Sequence, residues 1–285
     1  MDVWGRSHPP FLAGAKRVTA GVLAAALLVT LTAATGAAQA AARAGTRAAP
    51  SDALGVAPPD TPGVAPFEAL GDSATEARPR PRVDCRRVKC VALTFDDGPG
   101  RHTGTLLRHL AKYHARATFF VLGSNVVTYP RVLRRTVAAG HEIGNHTWSH
   151  PLLTRLPAAR VRSQIARTDR AVKAAAGVMP HLVRPPYGAF NRAVRRQIAR
   201  PIVMWNVDTL DWRYRNSATV ARRTLRSVRP GSIVLFHDIH RTTVGAMPRV
   251  LKSLAKRGYH FVTVSELFGG RPPHVAFGAA PPKKH

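Results

Sequence analysis

Apolar residues in this chain come in short runs that recur at regular intervals, at 91–95, 117–122, 142–144, 182–184, 202–207, 232–236 and 260–264. Such runs read as buried strands. Between them the apolar spacing changes to the three-and-four rhythm of a helix with one buried face, at 103–113, 130–139, 157–176, 191–199, 218–228 and 246–256. The third of these is the clearest, with Pro157 at its first turn and Gly177 where a C-cap would fall. Strands that each lead into a helix, bar the last, predict an α/β domain with parallel strands, either a barrel or a doubly wound sheet. In both, functional residues sit at the C-terminal ends of strands.

Outside this block the pattern lapses. Arg6, Lys16 and Arg17 precede an apolar run at about 18–34, followed by Ala38-Gln39-Ala40, so residues 1–40 read as a secretory signal peptide, or as a signal anchor if left uncleaved. Residues 41–82 are a Pro/Ala-rich linker without periodicity, and 269–285 read as a flexible basic tail. A single catalytic domain at 83–268 is left. The expected location is secreted and associated with the cell wall, with membrane attachment only through an uncleaved first segment.

The chain holds 43 Lys+Arg against 15 Asp+Glu, a formal charge of +28. That excess suits polyanionic surroundings, and export together with the lack of a nucleic-acid motif leaves anionic wall polymer rather than nucleic acid. Cys85 and Cys90 are the only cysteines. An oxidising compartment favours a disulfide between them, although an extended strand would hold residues five apart roughly 16 Å from one another, so the bridge requires a tight loop.

Scarcity makes the carboxylates informative. Between residues 85 and 268 they are Asp96, Asp97, Glu142, Asp169, Asp208, Asp211, Asp238 and Glu266, and five of these, Asp96, Asp97, Asp208, Asp211 and Asp238, fall at or just past predicted strand ends. His146 and His150 are four apart, so one helical turn would set both imidazoles on one face. With a carboxylate from another strand end they make a two-His, one-Asp set with positions left for water and substrate. Adjacent aspartates can then divide the work, one binding the metal and the other taking a proton from water. Their mutual repulsion requires a cation, either the metal or Arg184.

The motifs TFDDGP, HTWSH, RPPYG, DTLDW and LFHD, in that order, resemble the five motifs of the polysaccharide deacetylases, the NodB-homology or carbohydrate esterase family 4 group. The resemblance implies a distorted parallel (β/α)7-type barrel. It implies Asp97, His146 and His150 as metal ligands, Asp96 as general base, Arg184 as its orienting partner and His237 as general acid tuned by Asp211. It further implies the Tyr187 backbone N–H as an oxyanion donor, Trp212 as a pocket wall and Leu235 beside the acetyl methyl. The reaction implied is metal-dependent hydrolysis of an N-acetyl amide on an amino sugar; export, the basic surface and the linker favour N-acetylglucosamine residues of peptidoglycan or chitin-type oligosaccharides as substrate, and a monomer is expected. Zinc is the expected ion, with cobalt, nickel and manganese open.

Alternatives are an acetylxylan O-deacetylase using the same site and a catalytically silent wall-binding module. Asp208 is open between a structural and a functional role, Asp238 is expected to cap the following turn, and Trp148 and Trp205 are expected in the core. Gly98-Pro99-Gly100 is expected to form the turn that presents the aspartates.

Overall fold

The structure is a computed structural model and describes residues 83–279. The signal-like segment 1–40, the linker 41–82 and residues 280–285 lie outside the described residues. Elements follow in the order β1 (Cys90–Asp96), α1 (Thr103–Ala111), β2 (Thr118–Val121), α2 (Gly123–Thr128), α3 (Pro130–Ala138), β3 (Glu142–Asn145), α4 (Ala158–Ala176), α5 (Arg192–Arg196), β4 (Ile202–Val203) and β5 (Val207–Asp208). They continue with α6 (Asp211–Tyr214), α7 (Ser217–Ser227), β6 (Ser232–His237), α8 (Arg241–Lys256), β7 (His260–Val262), α9 (Val264–Leu267) and β8 (Val275–Ala276). Helix ends follow local chemistry. Gly177 closes α4 at φ 73, a left-handed value that glycine adopts without Cβ strain, and the Asn191 and Asn216 side chains accept the Val194 and Thr219 N–H groups at the starts of α5 and α7.

β1 is the axis of the sheet. One edge pairs with β6 throughout, while the other is shared by β7 near its start and β2 near its end. From β2 the ladder passes to β3, through Val183 to β4, and on to β8. A bridge between Gly278 and Ser232 returns it to β6, which also pairs with β5. The named strand pairs are all parallel, and because the bridge returns the ladder to β6 the outcome is the distorted parallel barrel rather than the open doubly wound sheet.

Alternation along β1 explains what lies on each side. Val91, Leu93 and Phe95 face the helices, where Phe95 lies between Phe119 at 5.3 Å and Phe236 at 5.4 Å, its register partners on β2 and β6. Complete burial of each such ring stabilises the fold by about 1.5–3 kcal/mol. Cys90 and Ala92 face the interior with Phe120, Ile233 and Val203, and the same period carries Thr94 and Asp96 inward at the C-terminal end.

The structure departs from the sequence reading in three places. The run at 182–184 keeps only Val183 in the ladder, because Pro180 precedes it and Pro185 and Pro186 follow, none with an N–H to donate. The run at 202–207 breaks into β4 and β5 around Met204, Trp205 and Asn206. Most consequentially, the segment read as a flexible tail from residue 269 is packed through residue 279. Ile202 donates its N–H to the His274 carbonyl at 2.9 Å, Met204 to Ala276 at 2.7 Å and Ala279 to Gly231 at 2.8 Å. Gly278 permits this docking, since a Cβ there would stand 2.5 Å from Asn206 Nδ2. The expected disulfide is present: Cys85 and Cys90 are bridged across a turn that brings their Cα atoms to 5.4 Å.

A chain ended at Phe268 loses β8 and uncovers Ile202. It is expected to be less stable by about 1–3 kcal/mol, from the lost hydrogen bonds and buried apolar area. Urea denaturation of the full and shortened chains measures this, and an unchanged midpoint would refute the role given to β8.

Candidate active site

Asp96 ends β1 pointing inward, fully buried, and meets the buried side chain of Arg184. Arg184 Nη1 donates to Asp96 Oδ1 at 2.8 Å and to Thr94 Oγ1 at 2.8 Å, Nε donates to the Val203 carbonyl at 2.9 Å and Nη2 to the Met204 carbonyl at 3.0 Å. The guanidinium lies 4.1 Å from the Phe120 ring centre. Burial pushes the Asp96 carboxyl above the usual carboxylate range, opposed by Arg184 and by the charges of His237 and His150. The result is a carboxylate more basic than one in water and held in one orientation.

Asp97 leaves the strand at φ 70, and this left-handed step swings its carboxylate away from that of Asp96. Its backbone is held from α2, just past the end of the neighbouring β2, where Asn125 Nδ2 donates to the Asp97 carbonyl at 2.7 Å. Asp97 Oδ1 lies 3.6 Å from both His146 Nε2 and His150 Nε2. A tetrahedral ion with bonds of about 2 Å sets its donors roughly 3.3 Å apart. The donor chemistry fits such an ion. His146 Nδ1 lies 2.7 Å from the Arg184 carbonyl, which can only accept, so the proton is on Nδ1 and the Nε2 lone pair faces Asp97. Burial, with the charges of His150 and Arg184, pulls His146 down to about 3 against the pull of Asp97, and keeps the imidazole neutral. Asp97 Oδ1 is buried without a hydrogen-bond partner. Two acceptors facing each other with no proton between them require a cation.

The histidine spacing arises differently from the helical turn expected. Residues 146–152 after β3 form an irregular loop, and Thr147 at φ 75 and His150 at φ 59 fold it back so that both rings meet, 5.0 Å apart. Gln164 on α4 fastens this loop, its Oε1 accepting the N–H groups of Trp148 at 2.8 Å and Ser149 at 3.1 Å.

On the far side of β1, His237 at the end of β6 donates through Nδ1 to Asp211 Oδ1 at 2.8 Å. Asp211 is fully buried and also accepts the N–H groups of His237 and Trp212 and the Thr243 hydroxyl. Burial pushes the His237 imidazolium down, but the bond to Asp211 and the charges of Asp211, Asp96 and Asp97 outweigh it and raise the group to about 9. Burial pushes Asp211 up, yet His237 and Thr243 hold it below the ordinary carboxylate range. With Nδ1–H committed, Nε2 is the position left for chemistry.

The remaining candidates frame the opening. Tyr187 is 66% exposed at φ 59, with its ring edge-on to His150 at 4.6 Å, and Trp212 is 42% exposed at the start of α6. Leu235 lies two residues before His237 on the same strand face. Asp208 accepts the Leu210 N–H at 2.8 Å and shapes the turn into α6. Asp238 does not cap the turn that follows it. Its carboxylate accepts the Thr103 hydroxyl, which in turn accepts the Gly100 N–H at 2.8 Å, and burial pushes Asp238 up to about 7. It therefore clamps the loop behind Asp97, and Gly98 is required there because a Cβ would stand 2.5 Å from Asp238 Oδ1. Trp205 packs with the inner core and Trp148 lies under Arg167, at 4.0 Å.

Sequence reasoning passed over Thr94, Asn125, Gln164 and Thr243. Only Thr94 carried a usable signal, standing two residues before Asp96 and hence on the same strand face.

Residues 84–201 match the family profile described as polysaccharide deacetylase. The peptidoglycan-N-acetylglucosamine deacetylase PgdA of Listeria monocytogenes is 45% identical over 182 residues, covering 64% of this chain and 39% of that protein. The peptidoglycan-N-acetylmuramic acid deacetylase PdaC of Bacillus subtilis is 46% identical over 180 residues, covering 63% of this chain and 38% of that protein. The chain thus spans about two fifths of the length of these curated relatives. A solved structure described as T48 deacetylase with substrate superposes with a TM-score of 0.67 at 47% identity, covering 68% of this chain and 99% of that one.

The His237–Asp211 pair has a measurable signature. In metal-free protein the His237 imidazole is expected to titrate near 9, so its contribution to stability is complete below its ordinary value of 6.5 and is lost as pH rises through about 9. In Asp211→Asn the partner charge is gone while burial still disfavours the imidazolium, so the midpoint should fall well below that of wild type. Histidine NMR titration reads both. A midpoint that Asp211→Asn leaves in place would refute the assignment.

Proposed function

The chain belongs to the polysaccharide deacetylase family, and from that premise we propose that it is a metal-dependent hydrolase removing N-acetyl groups from N-acetylglucosamine residues of peptidoglycan or chitin-type oligosaccharides. The observation that carries this reading is the opposition of two devices across one strand end. On one side stand the Asp97, His146 and His150 donors with Asp96 braced by Arg184, and on the other a protonated His237 held by Asp211.

A divalent ion held by Asp97, His146 and His150 would supply positive charge that polarises the acetyl carbonyl and acidifies water. These donors suit zinc, and cobalt, nickel or manganese also accept them. Asp96 takes the proton of the attacking water, its free oxygen directed by the Arg184 contact. The Tyr187 N–H, presented by a left-handed turn, is assigned to the developing oxyanion. His237 gives the proton on Nε2 to the departing nitrogen as the C–N bond breaks, leaving acetate and a free amine. Trp212 walls the sugar and Leu235 receives the acetyl methyl. The signal-like pattern at 1–40 and the basic surface support action outside the cell on wall polymer, with the enzyme secreted or held by that first segment.

Acetate release by the full chain from peptidoglycan and from chitin oligosaccharides, after chelation and again with zinc restored, tests the proposal. Activity should vanish with the chelator and return with the ion. Asp96→Asn is expected to lose about 10²–10⁴-fold in turnover while still binding metal, and His146→Ala to lose metal and activity together. Release from acetylated xylan alone would move the assignment to O-deacetylation. No release from any of these glycans, with metal bound, would leave the wall-binding reading.

A further inference from the structure

Left-handed residues bracket α6, Leu210 at φ 52 and ψ 33 before it and Arg215 at φ 46 and ψ 35 after it. Non-glycine residues in this region cost roughly 1 kcal/mol or more each and persist where the surroundings over-determine them. Here the two bends turn Asp211 inward to His237 and bring Arg215 back toward the mouth of the same site. Arg215 Nε donates to the Trp212 carbonyl at 2.7 Å, and Nη1 donates to His240 Nδ1 at 2.5 Å. A guanidinium offers no lone pair, so His240 Nδ1 must be the acceptor and the ring is neutral with its proton on Nε2. The His240 ring lies 6.0 Å from that of His237. A cation fixed at two of its donors therefore stands one imidazole away from the general acid, next to the exposed Trp212. Arg215 is itself exposed, and among the described residues no carboxylate pairs with it.

We propose that Arg215 is a specificity-determining residue that reads a carboxylate carried by the glycan beside the acetamido group undergoing hydrolysis. The substrate class of the site is then a carboxylated acetylamino-sugar polymer in preference to a neutral one, an inference that rests on the deacetylase reading. The chemistry is that of a guanidinium fork. Of the four N–H groups on Nη1 and Nη2, three remain to receive a carboxylate, while the bonds to Trp212 and His240 set their direction and reduce the side-chain entropy lost on binding. A residue serving only as a brace for α6 would disturb every substrate alike.

The test compares kcat/KM for two tetrasaccharides of equal acetylation. One is neutral and made of N-acetylglucosamine alone; the other is peptide-free peptidoglycan glycan, in which alternate sugars bear lactyl carboxylates. Wild type should favour the carboxylated glycan. In Arg215→Ala the ratio of the two kcat/KM values should fall about tenfold or more, with Arg215→Lys intermediate because it keeps the charge but loses the fork. Arg213→Ala removes an equal charge from the same exposed turn and should leave the ratio within about twofold of wild type if geometry rather than net charge is read. Equal losses on both glycans, or the same fall with Arg213→Ala, would overturn the proposal. Calorimetric binding of the two glycans is measured alongside. Wild type that releases acetate from neither glycan would refute the deacetylase reading, while a binding preference for the carboxylated glycan lost in Arg215→Ala would still uphold this one and its absence would sink it.

Discussion

The constraint on which the rest of the site depends is the burial of the Arg184 guanidinium at the end of the barrel interior. A charge fully removed from water costs several kcal/mol unless it is paired and its donors are satisfied. Arg184 meets both demands with groups that then become fixed. It takes Thr94 and Asp96 from β1 and the Val203 and Met204 carbonyls from the far wall. These contacts tie β1 to the segment that begins with β4, which the ladder links only indirectly, through Val183 on one side and through β8 and the Gly278–Ser232 bridge on the other. The backbone of the same residue sets the tautomer of His146, since its carbonyl accepts the Nδ1 proton. One arginine thus orients Asp96 with its side chain and His146 with its main chain. Lysine could supply the charge, but a point charge cannot fill four acceptors spread over two walls.

From that anchor the adjacent aspartates acquire different surroundings. Consecutive residues of a strand point to opposite sides, and inward alternation gives Asp96 to Arg184. Asp97 would then face the helices, where a carboxylate has no place among Val121, Phe95 and Phe236. The left-handed step at Asp97 resolves this by ending the strand and turning the carboxylate to the histidines. Asn125 and the Asp238–Thr103 pair hold the turn from outside. Most left-handed non-glycine residues among the described residues, Asp97, Thr147, His150, Tyr187, Leu210 and Arg215, belong to this opening, with His114 elsewhere. Strain gathered at this opening is sustained by the packing behind it, here the Phe95, Phe119 and Phe236 stack on the helix-facing side of the same strand ends.

The strands and the residues with chemistry were legible for different reasons. β1 and β6 carry nearly unbroken apolar runs, broken in β1 only by Thr94, because both faces of each are covered, and such runs show in any window. Asp96 and Asp97 stood out because acidic residues are few and this pair ends such a run, His146 and His150 because they are four apart, and His237 through its place in the LFHD motif. Val183 and β8 were poorly legible. Their pairing is one or two residues long and lies among prolines that report loop, so only the long-range partner identifies them. Residues that support the site through neutral hydrogen bonds, such as Gln164 and Thr243, leave no mark in composition or period. The loop that joins His146 and His150 shows the same limit from another direction, since spacing suggested a helical turn and backbone bends produced the meeting instead.

A chain with a formal charge of +28 must nevertheless hold a cation, and distance settles how both can be true. At physiological salt, charges in solvent are screened beyond about 8 Å, so exposed arginines on the helices weigh little at the Asp97 carboxylate. Within that range the balance is reversed. Asp96, Asp97, Asp208, Asp211 and Asp238 all lie at strand ends around the opening, where burial weakens screening. The remaining described acids mostly serve structural pairs, Asp169 with Arg200 and Glu266 with Arg116. The few negative charges are therefore kept for the places where a cation or an imidazolium must be stabilised, and the exposed surface is left basic. The two fields act at different ranges, the outer one screened by salt and the inner one held by burial, so a strongly basic surface and an acidic cation site can coexist in one molecule.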